Sequence, residues 1–240
     1  MLRDFPLNDI LFIDVETIPA YPNFASAPEI EQGLWSKKSA SLFREERSPA
    51  ETYERAGIYA EFGRVICISC GRIRSSTDPT DLRLDIRSFA GGNENTVLKN
   101  FSNFLTKHQS KQLRLCAHNG KEFDFPYISR RMLINGIPIP KTLDNAGKKP
   151  WEIQHFDTLE LWKFGDYKHY TSLELLAHCF GLPSPKDNLD GSMVAKTWYV
   201  DKNLMFIQKY CEDDVSTLVH VFLKMKMQNV DAQVTIEYQR

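Results

Sequence analysis

The sequence predicts an α/β fold in a single domain of 240 residues. Residues 10–13 form a β-branched and aromatic run, as expected of a strand buried on both faces of a mostly parallel sheet. Residues 64–74 and 82–89 are two more short strands rich in Val, Ile and Leu, separated by a polar turn-like segment. Apolar residues at helical spacing over 95–108 then precede a strand at 113–119, which indicates a crossover connection.

The composition is that of a globular protein, with 42% hydrophobic and 25% charged residues. There is no run of 18 apolar residues and no signal-peptide pattern at the N-terminus, and the 5 cysteines lie mostly in apolar segments. We therefore expect a soluble, cytoplasmic protein that does not contact a membrane. The net charge of −1 excludes a global basic field, so any phosphate-binding surface must be local.

The segment 19–60 follows the first strand and contains four prolines and mixed charges without a long apolar stripe. We expect a largely helical insertion that lies over the surface of the domain. Trp35, Phe43, Tyr53 and Tyr59 are the aromatic residues expected to attach it.

The second half of the chain predicts further alternation of helices and strands, ending in a long amphipathic helix. The expected elements are a helix at 124–135, a proline-containing loop at 137–152, a strand at 154–162, a short helix at 172–182 and a helix at 203–228.

The first acidic pair, Asp14 and Glu16, directly follows the buried strand. Residues i and i+2 of a strand point to the same side, roughly 7 Å apart, so the two carboxylates would share one edge of the core. Burying them without partners costs several kcal/mol, which predicts a cation opposite them, either a basic side chain or a metal ion. Alternatively, the strand ends at Ile13 and both acids face water.

Asp124 lies where the strand at 113–119 gives way, through a glycine, to the next helix. Ligands of open α/β sheets gather at such places, although an aspartate at a helix start is also a favoured cap. Asp157 follows an apolar lead as Asp14 does, but it has no acid two residues later. We expect Asp157 to have a structural or supporting role.

The long helix places Tyr210 and Asp214 one turn apart on a border of its apolar stripe. Asp213 points elsewhere, towards Lys209 one turn earlier, so Asp214 is the acid expected to face inward. A tyrosine and an aspartate on the border of a stripe can also be incidental.

Together, these motifs resemble those of the DEDD superfamily of 3′-5′ exonucleases. The first is Asp-Val-Glu at 14–16, the second is Asn-Gly-Lys-Glu-Phe-Asp at 119–124, and the third is Tyr-Cys-Glu-Asp-Asp at 210–214. The tyrosine of the third motif is typical of the DEDDy branch. The second motif is most similar to the proofreading domain of family B DNA polymerases and to predicted stand-alone bacterial relatives of that domain.

The resemblance implies a ribonuclease H-like fold, in which three antiparallel strands and two further strands form a mixed five-stranded sheet flanked by helices. It also implies two divalent ions, Mg²⁺ or Mn²⁺, which together stabilise the attacking and leaving oxygens of a phosphodiester. Oxygen ligands suit these hard ions. The implied metal ligands are Asp14, Glu16, Asp124 and Asp214.

Tyr210 would then position the attacking water, while Thr17, Asn119 and Phe123 would contact or orient the nucleotide. The implied reaction is 3′-5′ hydrolysis of single-stranded DNA or frayed 3′ ends to nucleoside 5′-monophosphates. Protein partners are not predicted.

Three alternatives remain open at this point. The same acids could serve an RNA or short-oligonucleotide exonuclease, because sugar discrimination depends on contacts to the 2′-OH. The chain could also be a catalytically silent nucleic-acid-binding module, although five intact site residues disfavour this. A phosphatase or other phosphoryl-transfer enzyme would be distinguished by release of inorganic phosphate.

Overall fold

A six-stranded mixed sheet forms the centre of the structure, a computed structural model that describes residues 4–43, 47–75, 81–166, 170–183, 191–226 and 233–239. The strand order is β5-β4-β1-β2-β3-β6. β1, β2 and β3 are antiparallel neighbours, while β4 pairs parallel with β1, β5 with β4, and β6 with β3. The strands span Ile10–Pro19, Gly63–Ser75, Asp81–Ala90, Arg114–Ala117, Phe156–Asp157 and Gln233–Gln239, numbered β1 to β6 in chain order.

Helices cover both faces of this sheet. Helices α1 to α8 span Glu29–Phe43, Pro49–Thr52, Glu94–Lys107, Asp124–Ile134, Thr158–Lys163, Leu173–Cys179, Val194–Tyr199 and Leu204–Met225. Short 3-10 turns occupy Leu7–Asp9, Phe24–Ser26, Tyr53–Ile58, Pro150–Glu152 and Gly191–Met193. No helix within the described ranges is both long and apolar enough to span a lipid bilayer.

The central strand β1 has apolar side chains on both of its faces, as predicted for a strand inside an α/β sheet. Leu11, Ile13 and Val15 belong to the core under α3 and α4, while Ile10 and Phe12 belong to the core under α8. Because the side chains of a strand alternate, every even-numbered residue of β1 faces α8.

Helix α8 packs its apolar stripe against the second of these faces. Val215, Leu218 and Phe222 are fully or almost fully buried there, and the Phe222 ring meets the Phe12 ring edge-on at 5.3 Å between centroids. Asn203 caps the helix by accepting a hydrogen bond from the backbone N–H of Phe206 at 3.1 Å. The helix therefore has a fixed orientation over β1.

The segment between β1 and β2 is largely helical, as expected. Trp35 of α1 is fully buried and donates a hydrogen bond from its indole N–H to the Pro49 carbonyl at 2.9 Å. Tyr53 is also buried, and its ring meets the Trp35 ring edge-on at 5.8 Å between centroids. The Tyr59 ring lies 6.0 Å from the Trp35 ring. The side chain of Phe43, also predicted to attach this segment, lies outside the described part of the structure.

The α/β fold with helices on both faces of a mixed sheet is confirmed, but two elements differ from the prediction. The strand predicted at 154–162 is wrong beyond Asp157, because the Asp157 carboxylate accepts from the N–H groups of Leu159 and Glu160 and so begins α5. A sixth strand, β6, adds to the five expected ones by pairing with β3 over its whole length.

Candidate active site

Strand β1 delivers two acids to the face covered by α8. Asp14 and Glu16 continue the row begun by Ile10 and Phe12, and Glu16 is only 7% exposed. The pairing register between β1 and β2 shifts directly after Glu16. Such bulges redirect the side chains beside them and often lie next to active sites.

Cys211 of α8 lies against both acids. A carboxylate oxygen of Asp14, one of Glu16 and the Cys211 sulfur all lie within 4.8 Å of one another. The thiol also donates to the backbone carbonyl of Asp14 at 3.5 Å. Cys211 is fully buried in the apolar stripe of the helix, and the sequence pattern did not predict its contact with the acids.

Helix α8 brings Tyr210 and Asp214 to the same place. The Tyr210 hydroxyl donates a hydrogen bond to Asp214, and the charge of Asp214 acts on Glu16. Asp213 instead forms an ion pair with Lys209, and Glu212 accepts a hydrogen bond from Ser88 of β3 at 2.7 Å. Of the three consecutive acids, Asp214 is thus the one beside β1.

Asp124, 4% exposed at the start of α4, approaches from the other side of β1. Its carboxylate accepts a hydrogen bond from the backbone N–H of Val15. The turn before α4 is tight, because a Cβ atom on Gly120 would lie 2.3 Å from the Cβ atom of Ala117. The glycine therefore lets the chain reverse between β4 and Asp124.

Asp157 fixes this turn from β5. One carboxylate oxygen accepts from the backbone N–H of Asn119 at 2.9 Å, and the other accepts from that of Lys121 at 3.0 Å. The same residue also caps α5, so one buried carboxylate joins two chain segments. Asp157 therefore supports the segment that carries Asp124, in line with the supporting role expected from the sequence.

The three residues expected to contact substrate are close to the acids in the chain, since Thr17 follows Glu16 and both Asn119 and Phe123 precede Asp124. Asn119 adopts the left-handed conformation with φ of 60°, and its carbonyl accepts from the N–H of Phe123 at 3.0 Å. The half-buried Phe123 ring packs against Tyr127 at 5.3 Å. Thr17 faces α4 and hydrogen-bonds the hydroxyl of Tyr127.

Two further side chains, which sequence reasoning missed, lie at the edge of the site. The His118 ring bridges the Thr158 hydroxyl at 2.9 Å and the Thr171 carbonyl at 2.8 Å. Tyr170 meets this ring edge-on at 6.1 Å and is 65% exposed. Partial burial, and then the charge of Asp124, raise the pKa of Tyr170, which indicates that its phenol lies near that acid.

Burial and mutual repulsion control the charges of the acids. Burial raises the pKa of Asp14 to about 6. Burial and then the charges of Asp14 and Asp214 raise the pKa of Glu16 well above its usual range, and burial and then Asp14 do the same for Asp124. The structure therefore places Asp14, Asp124 and Asp214 each close enough to Glu16 to repel its charge.

These residues fit a bound cation. Within the described ranges, no lysine or arginine forms an ion pair with Asp14, Glu16 or Asp124. Asp14 Oδ2 is buried and has no hydrogen-bond partner there either. A buried carboxylate oxygen without a partner costs free energy unless a cation meets it, and oxygen donors suit Mg²⁺ or Mn²⁺.

A mixed sheet flanked by helices, with acids on its first strand, places this protein in the class of ribonuclease H-like domains. The chain belongs to the family described as "predicted 3′-5′ exonuclease related to the exonuclease domain of PolB", whose model matches residues 58–239. The match supports the relationship to family B polymerases inferred from the motifs. Asp14 and Glu16 lie before the matched range, so their place in the site depends on the structure of β1.

Among solved structures, the fold is similar to that of the family B DNA polymerase from the hyperthermophilic archaeon Pyrobaculum calidifontis. The TM-score is 0.54 at 14% sequence identity, over 90% of this chain and 24% of the polymerase. The chain thus spans about a quarter of the length of that polymerase. At this identity the likeness concerns the fold.

Proposed function

We propose that the protein is a divalent-metal-dependent 3′-5′ exonuclease that acts on single-stranded DNA or frayed 3′ ends and releases nucleoside 5′-monophosphates. The observation that carries the proposal is the pair Asp14 and Glu16, whose carboxylates lie within 4.8 Å of each other on β1 and which have Asp124 and Asp214 near enough to act on Glu16 by charge. Membership of a 3′-5′ exonuclease family supports the direction of hydrolysis. The choice of DNA rests on the similarity of the motifs to polymerase proofreading domains.

The four carboxylates would hold two divalent ions, Mg²⁺ or Mn²⁺. Four negative charges offset the four positive charges of such a pair, and acids that repel one another gain most from these cations. When bound, the ions would stabilise the negative charge that develops on the attacking and leaving oxygens of a phosphodiester. The protein contributes by holding the acids on rigid elements, β1, α4 and α8.

Tyr210 is proposed to orient the attacking water. Burial, and then the charge of Asp214, raise the pKa of the Tyr210 phenol well above the ordinary value of 10. The hydroxyl therefore stays protonated at neutral pH and serves as a hydrogen-bond donor and acceptor, not as a base. Its bond to Asp214 fixes the phenol one helical turn before that acid.

Thr17, Asn119 and Phe123 are proposed to position the terminal nucleotide. Phe123 presents a half-buried ring on which a base or sugar can pack, and Asn119 lies two residues after the end of β4, in the turn that leads to Asp124. Thr17 directly follows Glu16 on β1, and its hydroxyl bonds Tyr127 on the face of the strand that α4 covers.

The test uses 5′-labelled single-stranded DNA and RNA of one sequence, each incubated with Mg²⁺, Mn²⁺ or EDTA. We expect a ladder that shortens from the 3′ end only with a divalent ion, together with release of nucleoside 5′-monophosphate. Asp14→Asn, Glu16→Gln, Asp124→Asn and Asp214→Asn should each lower the rate by roughly 10²-fold or more, because each removes a carboxylate from the transition-state charge balance.

Asp213→Asn is the matched control, since Asp213 is the adjacent acid on α8 and pairs with Lys209 on the surface. It should retain near-normal activity. Full activity in Asp214→Asn with loss in Asp213→Asn would overturn the assignment. Cleavage of circular single strands at similar rates, or release of inorganic phosphate, would contradict the proposed reaction.

A further inference from the structure

A second concave surface lies at the edge of the sheet where β6 ends and β3 continues. It is a groove of about 1060 Å³ between α3, the end of β3, the first turns of α8 and the end of β6. We call it the α3–α8 groove. The basic and amide side chains that line it include Arg87, Lys107, Lys209, Asn100, Asn103 and Gln208.

The charge of the α3–α8 groove is positive. Arg87 and Lys107 are exposed, and neither pairs with a carboxylate in the parts of the chain that the structure describes. Lys209 shares its charge with Asp213. The acid in the lining, Glu212, is 9% exposed and is held by hydrogen bonds from Ser88 and Gln208 at 2.7 and 2.8 Å.

Arg87 is held in place by aromatic rings. Its guanidinium carbon lies 5.6 Å from the centre of the Phe89 ring and 5.8 Å from that of Phe104. A guanidinium stacked in this way is oriented in advance and matches the geometry of a phosphate. The exposed amides of Asn100 and Asn103 on α3 can hydrogen-bond base edges or sugars.

Helix α8 stands between this groove and the candidate active site. On a helical wheel, Gln208 and Glu212 lie on the side opposite to Tyr210 and Asp214. A helix with its side chains is about 10–12 Å across, and stacked nucleotides advance about 3.4 Å each. A strand that crosses α8 therefore needs on the order of four nucleotides between the two places.

From this arrangement we infer that the α3–α8 groove binds single-stranded nucleic acid on the 5′ side of the terminal nucleotides, about four nucleotides from the candidate active site. A positive groove with a stacked arginine, exposed amides and aromatic rings is the surface that a single strand requires. This inference rests on the proposed function, because the groove would hold the same strand whose 3′ end reaches the acids. Met205, 83% exposed at the start of α8, lies along the proposed crossing.

The first experiment measures binding without hydrolysis. Fluorescence anisotropy of a labelled 20-nucleotide DNA and the matched RNA is followed in EDTA at several salt concentrations. We expect the double variant with Arg87→Gln and Lys107→Gln to raise the Kd for the 20-mer at least 10-fold. The single variant Lys107→Glu should raise this Kd several-fold. The slope of log K against log salt should fall by about 0.7 for each lost phosphate contact.

Lys99→Glu is the matched control for Lys107→Glu, because Lys99 is an exposed lysine of the same helix that does not line the groove. It should leave Kd unchanged. A second readout is hydrolysis of a trinucleotide, which is too short to reach the groove, and whose kcat/KM should not change in any groove variant. Lys107→Glu changes only an exposed helix surface, so it keeps the test valid if the Arg87 variant unfolds.

Unchanged affinity for both 20-mers in the double variant and in Lys107→Glu would overturn the inference, even in an active nuclease. So would equal losses with the trinucleotide and the 20-mer, because the residues would then act at the acids. Loss of polyglutamate binding with unchanged DNA and RNA binding would assign the groove to acidic peptides instead. A protein that binds the 20-mer through the groove yet hydrolyses nothing would refute the proposed function alone.

Discussion

At the scale of single residues, burial determines what each side chain in the acid cluster can do. Tyr210 has a raised pKa because it is buried beside Asp214, Glu16 and Asp14. A phenol in such surroundings holds its proton more tightly than in water, since ionisation would add another negative charge to the cluster. Its chemical use is therefore confined to hydrogen bonding.

The Tyr210→Phe variant tests this conclusion. We expect kcat to fall by roughly 10²-fold or less, a loss of up to about 2.7 kcal/mol of transition-state stabilisation, because the ring still packs but the hydroxyl is gone. KM and metal affinity should change little, and Asp214→Asn should cost more. Steady-state kinetics and calorimetric metal titration on both variants measure these effects. A Tyr210→Phe enzyme with the wild-type kcat would make the tyrosine a packing residue.

The motif spacings made the location of the site predictable at this scale. Two residues along a strand and four along a helix each fix a common side, so Asp14 with Glu16, and Tyr210 with Asp214, could be paired from the sequence. The contact between Cys211 and Asp14 could not be predicted from such a spacing. That contact depends on how α8 crosses β1, which is a tertiary property without a local pattern.

At the scale of elements, long periodic segments were predictable and short ones were not. The structure has α3 at Glu94–Lys107 and α8 at Leu204–Met225, against expected ranges of 95–108 and 203–228. β5 is only two residues long because Asp157 caps a helix instead of continuing the strand. β6 pairs with the distant strand β3, and such a partner cannot be read from a local sequence.

The segment before β5 depends on the histidine that anchors it. His155 accepts a hydrogen bond from the backbone N–H of Leu115 at its Nδ1 atom, 3.2 Å away, and its Nε2 atom lies 2.8 Å from the carbonyl of Thr142. Both bonds together require a neutral ring with the proton on Nε2. Burial lowers the pKa of His155 to about 4. The hydrogen bond to Thr142 opposes this shift, and the charge of Arg114 adds to it.

Stability should therefore fall in acid through His155. Because its pKa of about 4 in the folded protein lies below the ordinary 6.5, the stabilisation is present above pH 6.5 and is lost as pH falls through 4. It amounts to at most roughly 3 kcal/mol. Urea unfolding between pH 7.5 and 4.5 should show a steeper loss in wild type than in His155→Gln, which keeps a donor and an acceptor but does not titrate. Parallel pH dependences of the two proteins would contradict this.

At the scale of the whole molecule, the net charge of −1 conceals an uneven distribution. Asp14, Asp124 and Asp214 lie close to Glu16 of β1, whereas cationic side chains line the α3–α8 groove on the far side of α8. The charge balance of the sequence predicted that any phosphate-binding surface would be local. The position of such a surface could not be predicted, because Arg87, Lys107 and Lys209 belong to three elements that only the fold brings together.

The metal-free protein should consequently be weakened by its own acids and stabilised by divalent cations. The pKa of Asp14, about 6, exceeds its ordinary 3.8, so its contribution to stability is present below pH 3.8 and is lost as pH rises through 6. A cation that binds only the folded state reverses the loss, by about 2.7 kcal/mol at 100 times its Kd. For a chain of this size that corresponds to a rise in Tm of roughly 5–10 °C.

We therefore expect Mn²⁺ or Mg²⁺ to raise Tm at pH 7.5, and to raise it less at pH 5, where protons compete for Asp14. Asp14→Asn should unfold at a higher temperature than wild type without metal, because it removes one of the repelling charges, and should lose most of the metal-induced rise. Asp213→Asn removes an acid that pairs with Lys209 away from the site, so this variant should keep the full rise in Tm. Thermal unfolding of the three proteins with EDTA or metal at both pH values decides the matter. An equal rise in Asp14→Asn and wild type would show that the cation binds away from the acid cluster, and would remove the basis for a metal-dependent nuclease.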